Sequence, residues 1–253
     1  MSRWLPAVLS VAGVLALWQL LSLAGVLPER DLPSMTDTFA ELARQLGSAE
    51  FWSAVASTLQ GWALGLGIAA VLAIPLAIVV GSAPLLHRSL RFVIEFLRPI
   101  PSVALVPLAV LIYGTGLESK VFLAAFAAFW PLFVQTLYGV RDVDPVATDT
   151  ARSFGLGRVE RLWRIKLPSA VPYIATGVRI SSAVALILAV TAELVIGSAG
   201  LGRSINVARS GGAVELMYAL IIATGIIGLL LNVAATRAER RVLHWHPSQR
   251  AVA

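Results

Sequence analysis

The sequence predicts an all-α, polytopic membrane protein, and three observations predict it. Of 253 residues, 58% are hydrophobic. Only 13% are charged, against roughly 25% in an ordinary soluble domain. Uncharged runs recur along the whole chain, each close to the about 20 apolar residues that a transmembrane helix needs. A soluble protein so poor in charge would expose large apolar patches and aggregate. With no cysteine, disulfides and thiolate metal sites are excluded.

Six spans follow in order within a single transmembrane domain over 1–253. The first covers about 5–27. A cleaved signal peptide competes for it, but the apolar core of such a peptide is only about 7 to 15 residues long. Ala24-Gly25-Val26-Leu27-Pro28 is also a poor cleavage site, so the helix is expected to be retained. The second span, 59–80, lies inside the uncharged stretch from Phe51 to Leu86. The third, 97–117, carries Pro99, Pro101 and Pro107; neighbours must satisfy the carbonyls these prolines free. A kinked span inside a bundle is therefore expected, and the three prolines are candidates for a pathway or gate. The fourth is 121–140, the fifth 174–196 and the sixth 216–236. In the second, Gly61-x-x-x-Gly65 has the spacing that lets membrane helices approach closely, although two of 20 glycines also fall so by chance.

Orientation follows from Lys and Arg, which gather on the cytoplasmic side. Fourteen fall on the side of both termini: Arg3, then Arg88, Arg91 and Arg98, then six from Arg141 to Lys166, then Arg237, Arg240, Arg241 and Arg250. Five fall opposite, at Arg30, Arg44, Lys120, Arg203 and Arg209. Both termini are accordingly expected in the cytoplasm. The net charge of +6 then reads as an address and a docking surface, with no nucleic acid as partner.

The fifth span holds two charges, Arg179 near its start and Glu193 near its end. An acid at the bilayer centre costs about 2.5–3.5 kcal/mol on insertion scales, so Glu193 should face the bundle or water. It is a candidate for the pathway or gate; the alternative pairs it with a helix terminus or with Arg203. Arg179 is expected to snorkel toward the interface.

Chemical machinery is absent. Gly114-Thr-Gly-Leu-Glu-Ser-Lys120 approaches a phosphate-binding loop but lacks Gly before the Lys and Ser or Thr after it. His244 and His246 flank Trp245 in a basic tail, better read as interfacial than as a metal site. Neither H-E-x-x-H nor G-x-S-x-G occurs, so the chain is not expected to be an enzyme.

The most informative segment is the loop 141–173. Asp144-Pro145 reads as an N-cap and first helical residue, opening a short helix that Gly155 stops. Arg158 to Lys166 reads as a second helix, with Glu160 and Arg164 at i,i+4 spacing, ending before Leu167-Pro168. Val146, Phe154, Leu156, Leu162, Trp163 and Ile165 are more apolar residues than a merely solvated loop needs.

Here the sequence resembles a family. Asp149-Thr-Ala151-x-x-x-Gly155, nine residues, then Ile165-x-Leu167-Pro168 is similar to the E-A-A-x3-G-x9-I-x-L-P motif of permease subunits in binding-protein-dependent ABC importers. Asp149 stands for the usual Glu and keeps its charge; Thr150 stands for a small Ala. Leu97 to Pro107, Gly139 to Pro145 and Thr191 to Gly202 resemble the nitrate, sulfonate, taurine and bicarbonate branch. The resemblance implies the MetI-like fold of type I importer permeases, in the plasma (inner) membrane of a bacterium. It implies that the loop's first helix docks on an ATPase subunit through Ala147, Asp149, Ala151, Phe154 and Gly155, with Ile165, Leu167 and Pro168 completing the motif. Two copies of this chain, two ATPase copies and an external solute-binding protein are the implied partners besides the bilayer. No cofactor is expected on this chain, ATP and magnesium belonging to the ATPase. A taurine-like aliphatic sulfonate is the first expectation for the solute. The alternative is an ion-coupled secondary transporter using Glu193 as coupling carboxylate; it predicts inverted repeats and paired broken helices, which the sequence does not display.

Overall fold

The computed structural model describes residues 5–28 and 30–244; Arg3, Trp245, His246 and Arg250, which entered the charge count or the tail reading, lie outside the described residues. Among the described residues there are helices and no strands. α1 (Leu5–Leu23) is the first expected span, and α2 (Met35–Gln45) is a short amphipathic helix capped by Ser34, whose hydroxyl accepts from the Asp37 N–H. α3 (Ala49–Ser82) contains the second span and, at 34 residues, reaches about 51 Å, longer than the about 30 Å hydrocarbon layer.

The third expected span is broken rather than kinked. α4 (Pro84–Leu97) ends before the two prolines, a 3₁₀ turn covers Ser102–Leu105, and α5 (Val106–Tyr113) follows, the two halves meeting at 82°. Pro99 and Pro101 have no N–H to continue the ladder, so α4 closes on Arg98, which is itself still helical and donates to the Ile94 carbonyl. Pro107 sits in the first turn of α5, where the missing N–H is no loss. The expected range of 97–117 is thus too short a helix to cross unaided, and α4 must supply part of the path.

α6 (Leu117–Arg141) contains the fourth span. α7 (Pro145–Ser153) and α8 (Arg158–Arg161) form the predicted knob, and a π-helical turn, Leu162–Lys166, leads into α9 (Leu167–Ile196). The second loop helix therefore does not end before Leu167-Pro168. Pro168 would clash with a carbonyl one α-turn back, and the wider π turn absorbs that clash, leaving one continuous helix from Arg158 to Ile196. α10 (Leu201–Ser210) lies beyond it, and α11 (Val214–Val242) covers the sixth expected span. Among the described residues four helices are long and apolar enough to cross a membrane, five with the bent pair; the apolar stretch Val8–Leu23 in α1 is shorter.

α3, α6 and α9 make the centre. Gly65 of α3 faces Ala124 and Gly81 faces Val140, so α3 and α6 run parallel. Gly139 of α6 faces Tyr173 and Gly177 of α9 faces Leu132, so α9 runs antiparallel to both. The Gly61-x-x-x-Gly65 pair proves to be the start of a longer stripe. Gly61, Gly65, Ala69, Ala73 and Ala77 are all buried at every fourth position, the row that one helix presents to a parallel neighbour. A Cβ at Gly65 would stand 2.6 Å from that of Ala124, so van der Waals contact between backbones, rather than interlocking large side chains, holds this core. Ser181 donates to the Ala128 carbonyl at 2.7 Å and Trp62 to that of Ser182 at 3.0 Å, supplementing that packing with interhelical hydrogen bonds.

Candidate functional site: a docking knob, a mid-depth cleft and a buried ion pair

At one end of the bundle the chain folds back into the knob. The Asp144 carboxylate accepts from the Val146 N–H at 2.8 Å, capping α7. Its other end closes with the Leu156 N–H on the Ala151 carbonyl and the Gly155 N–H on that of Arg152, both 3.0 Å, the paired bonds of a Schellman motif. Gly155 has φ +78°, which is why glycine stands there. Glu160 and Arg164 pair at 3.1 Å as their spacing predicts.

The motif residues divide. Ala147, Asp149 and Phe154 are exposed, Phe154 at 80% and its neighbour Val146 at 70%, so apolar groups point outward. Asp149 pairs with Arg152 at 3.5 Å. Ala151, expected on the exposed face, is buried instead, a consequence of α7 lying against its own chain. Beside it a cleft joins Thr148, Arg152, Arg158 and Leu162 to Ser82 and Pro84 at the α3–α4 junction. Ile165 and Leu167 are half-buried and Pro168 exposed. Arg179 does more than snorkel: it pairs with Glu239 of α11 at 3.4 Å, and Thr176 donates to the same carboxylate.

Pro99 and Pro101 lie exposed at the helix break, and Pro107 is exposed on α5. They do not meet Glu193. Pro101 and Ser102 instead border a cleft of about 500 Å³ that Arg98, Trp130, Gln135 and Ile180 also line.

Glu193 is at the opposite end from the knob, and both it and its partner are 0% exposed. That partner is Lys120, at 2.9 Å; Arg203 is exposed and, among the described residues, makes no ion pair. The Lys120 Nζ also donates to the carbonyls of Ser57 and Ala199, at 2.9 and 2.8 Å. The second Glu193 oxygen accepts from the Thr58 hydroxyl and from the Gly202 N–H in the first turn of α10, both at 2.9 Å. The pairing with a helix terminus thus holds and that with Arg203 does not. Every charge-bearing atom is hydrogen-bonded, the condition under which a buried pair is tolerable. Gly61 makes room for it, since a Cβ there would stand 2.6 Å from the Lys120 side chain. At Gly200, with φ +146°, a Cβ would stand 2.1 Å from the Glu193 carboxyl.

Sequence reasoning missed Lys120, Thr58 and Ser57, and it placed Lys120 in a wet loop. The available signal was Glu193 itself, because an intramembrane acid requires a partner.

The fold and the knob define a class: the chain belongs to the family described as binding-protein-dependent transport system inner membrane component, which its residues 69–244 match. Within it, the chain is an ABC importer permease of the nitrate, sulfonate and taurine branch. It is 35% identical over 198 residues, 78% of this chain and 72% of the relative, to a taurine transport system permease protein of Escherichia coli. A putative aliphatic sulfonates transport permease protein of the same organism is 31% identical, covering 93% of this chain and 90% of the relative. The nitrate import permease protein of Leptolyngbya laminosa is 29% identical, over 95% and 88%. Among solved structures, the inward-facing MetNI methionine ABC transporter superposes with a TM-score of 0.66 at 17% identity, covering 76% of this chain and 95% of that one. An amino acid ABC transporter crystallised with histidines gives 0.65 at 20%, covering 79% and 97%. These two likenesses establish the fold.

Proposed function

We propose that two copies of this chain form the membrane pathway of an ATP-driven importer that receives a small oxyanion, best matched by a taurine-like aliphatic sulfonate, from an external binding protein. Support for the solute comes from the taurine, sulfonate and nitrate permeases among its relatives. The carrying observation for the mechanism is the knob. An exposed, well-capped helix that turns Val146, Ala147 and Phe154 outward is expensive to leave in water and fits a groove on another protein. Two ATPase subunits dock there in this reading, and the ATP and magnesium belong to them. The knob end and both termini then face the cytoplasm, and the α10 end faces outward.

The pathway in this reading runs past Pro99 and Pro101, with Pro107 anchoring α5 beside it. Glu193 is structural: its fully paired, fully buried setting suits neither a gate nor the coupling carboxylate of a secondary transporter, which must exchange its ion. Deletion of residues 145–156 tests the proposal. The ATPase should no longer co-purify with the permease and uptake should cease; uptake that persists overturns the docking role.

A further inference from the structure

Irregular backbone at bilayer depth is tolerated only where it is buried in protein or lines a water-filled cavity. Residues 98–101 form such a break, and Arg98, Pro99 and Pro101 remain exposed on the protomer. Their depth is fixed by their neighbours. Pro101, Ser102 and Val103 share a cleft with residues 127–135 of α6 and 180–188 of α9, which are the middle stretches of Leu117–Arg141 and Leu167–Ile196. Lipid is therefore not an allowed neighbour of the break.

The cleft's polar groups are of one kind. Arg98 brings a guanidinium, Ser102 a hydroxyl and Gln135 an amide, while among the described residues no carboxylate lines it. Trp130 lines it too, and its indole N–H is buried without an acceptor. All four can donate hydrogen bonds, and only the guanidinium carries charge. Among the described residues Arg98 makes no ion pair and its side chain no hydrogen bond, unlike Arg91, which is held by Glu95 at 2.7 Å. An arginine at this depth is costly and marks substrate or ion pathways. Arg98 also borders a second cleft, toward the knob end, with His87, Arg91, Glu95 and Arg141, so one residue lines both chambers.

We propose that Arg98, Ser102 and Gln135 form a transient anion site at mid-depth, which takes the sulfonate or other small oxyanion and passes it toward the knob-end cleft, where three arginines outnumber Glu95. This rests on the reading of the chain as half of an importer for small anions. A single charge in an open cleft of about 500 Å³ binds weakly enough to release, as conduction requires.

The test uses the whole complex, permease with its ATPase and binding protein, in proteoliposomes. Taurine, ethanesulfonate, nitrate and bicarbonate are the probes, and uptake and binding-protein-stimulated ATP hydrolysis are read together. Arg98→Gln should lower uptake about tenfold or more, as expected for a lost charge-assisted hydrogen bond, while stimulated hydrolysis stays near wild type; Arg98→Lys should restore most uptake. A parallel fall in both readouts, or unchanged uptake, overturns the site. If Arg98→Gln does not assemble, Ser102→Ala and Gln135→Leu carry the same split, and unchanged uptake in both is equally fatal. A wild-type complex that imports none of the four anions overturns the functional reading itself, whereas wild-type uptake matched by the variants overturns only the site.

Discussion

The two ends of this bundle handle charge in opposite ways. At the Lys120 end a single ion pair is sealed from water, and four separate elements, α3, α6, α9 and the start of α10, converge on it. At the α7 end most charges stand in solvent, and their pairs, Asp149 with Arg152 and Glu160 with Arg164, are local and largely exposed. The first arrangement fixes geometry, because removing any part leaves a buried group unsatisfied. The second leaves the surface free to exchange its own contacts for those of a partner.

Substitutions should therefore grade from one end to the other. The largest effect is expected from Lys120→Met, which strands the Glu193 carboxylate and should destabilise the protein by about 3–5 kcal/mol. Thermal unfolding in detergent should show it, and adding Glu193→Gln should recover most of the loss; a double variant no better than the single one would break the comparison. Next comes Gly200→Ala. Its backbone sits at φ +146° and its Cβ would overlap Glu193, so a loss of about 2 kcal/mol or more is expected, again read by unfolding temperature. Gly155→Ala probes a milder positive φ, +78° at a helix cap, in open space, because nothing lies within 4 Å of its Cβ. It should cost only about 1–2 kcal/mol, and a loss matching that of Gly200→Ala would mean that crowding is irrelevant at Gly200. Smallest is Asp149→Asn at the exposed pair. Surface pairs contribute little, so unfolding should not shift measurably, while ATPase affinity should become less salt-dependent if the Asp149 charge takes part in docking as proposed.

The same contrast explains what could be read from the sequence. The knob was legible because its determinants are neighbours in the chain. Asp144-Pro145 starts a helix, Gly155 stops it, and Glu160 and Arg164 are four apart; each rule acts within one turn. Long apolar runs likewise announced α3, α6, α9 and α11. The ion pair was not legible, because Lys120 and Glu193 are 73 residues apart and only packing brings them together. The break at Pro99 and Pro101 was anticipated as a kink, but its 82° angle depends on the flanking helices finding separate seats. Prolines also misled once, at Pro168, where a π turn took up a clash expected to end the helix.

That π turn has a mechanical consequence. Because the helix from Arg158 runs unbroken to Ile196 over 39 residues, the knob is the handle of a rod about 58 Å long. Its far end is clamped at Glu193 to α3, α6 and α10. Should an ATPase dock at the handle as proposed, torque there would travel along this one shaft to the opposite face, and the five-residue π turn is the joint where it would first be absorbed.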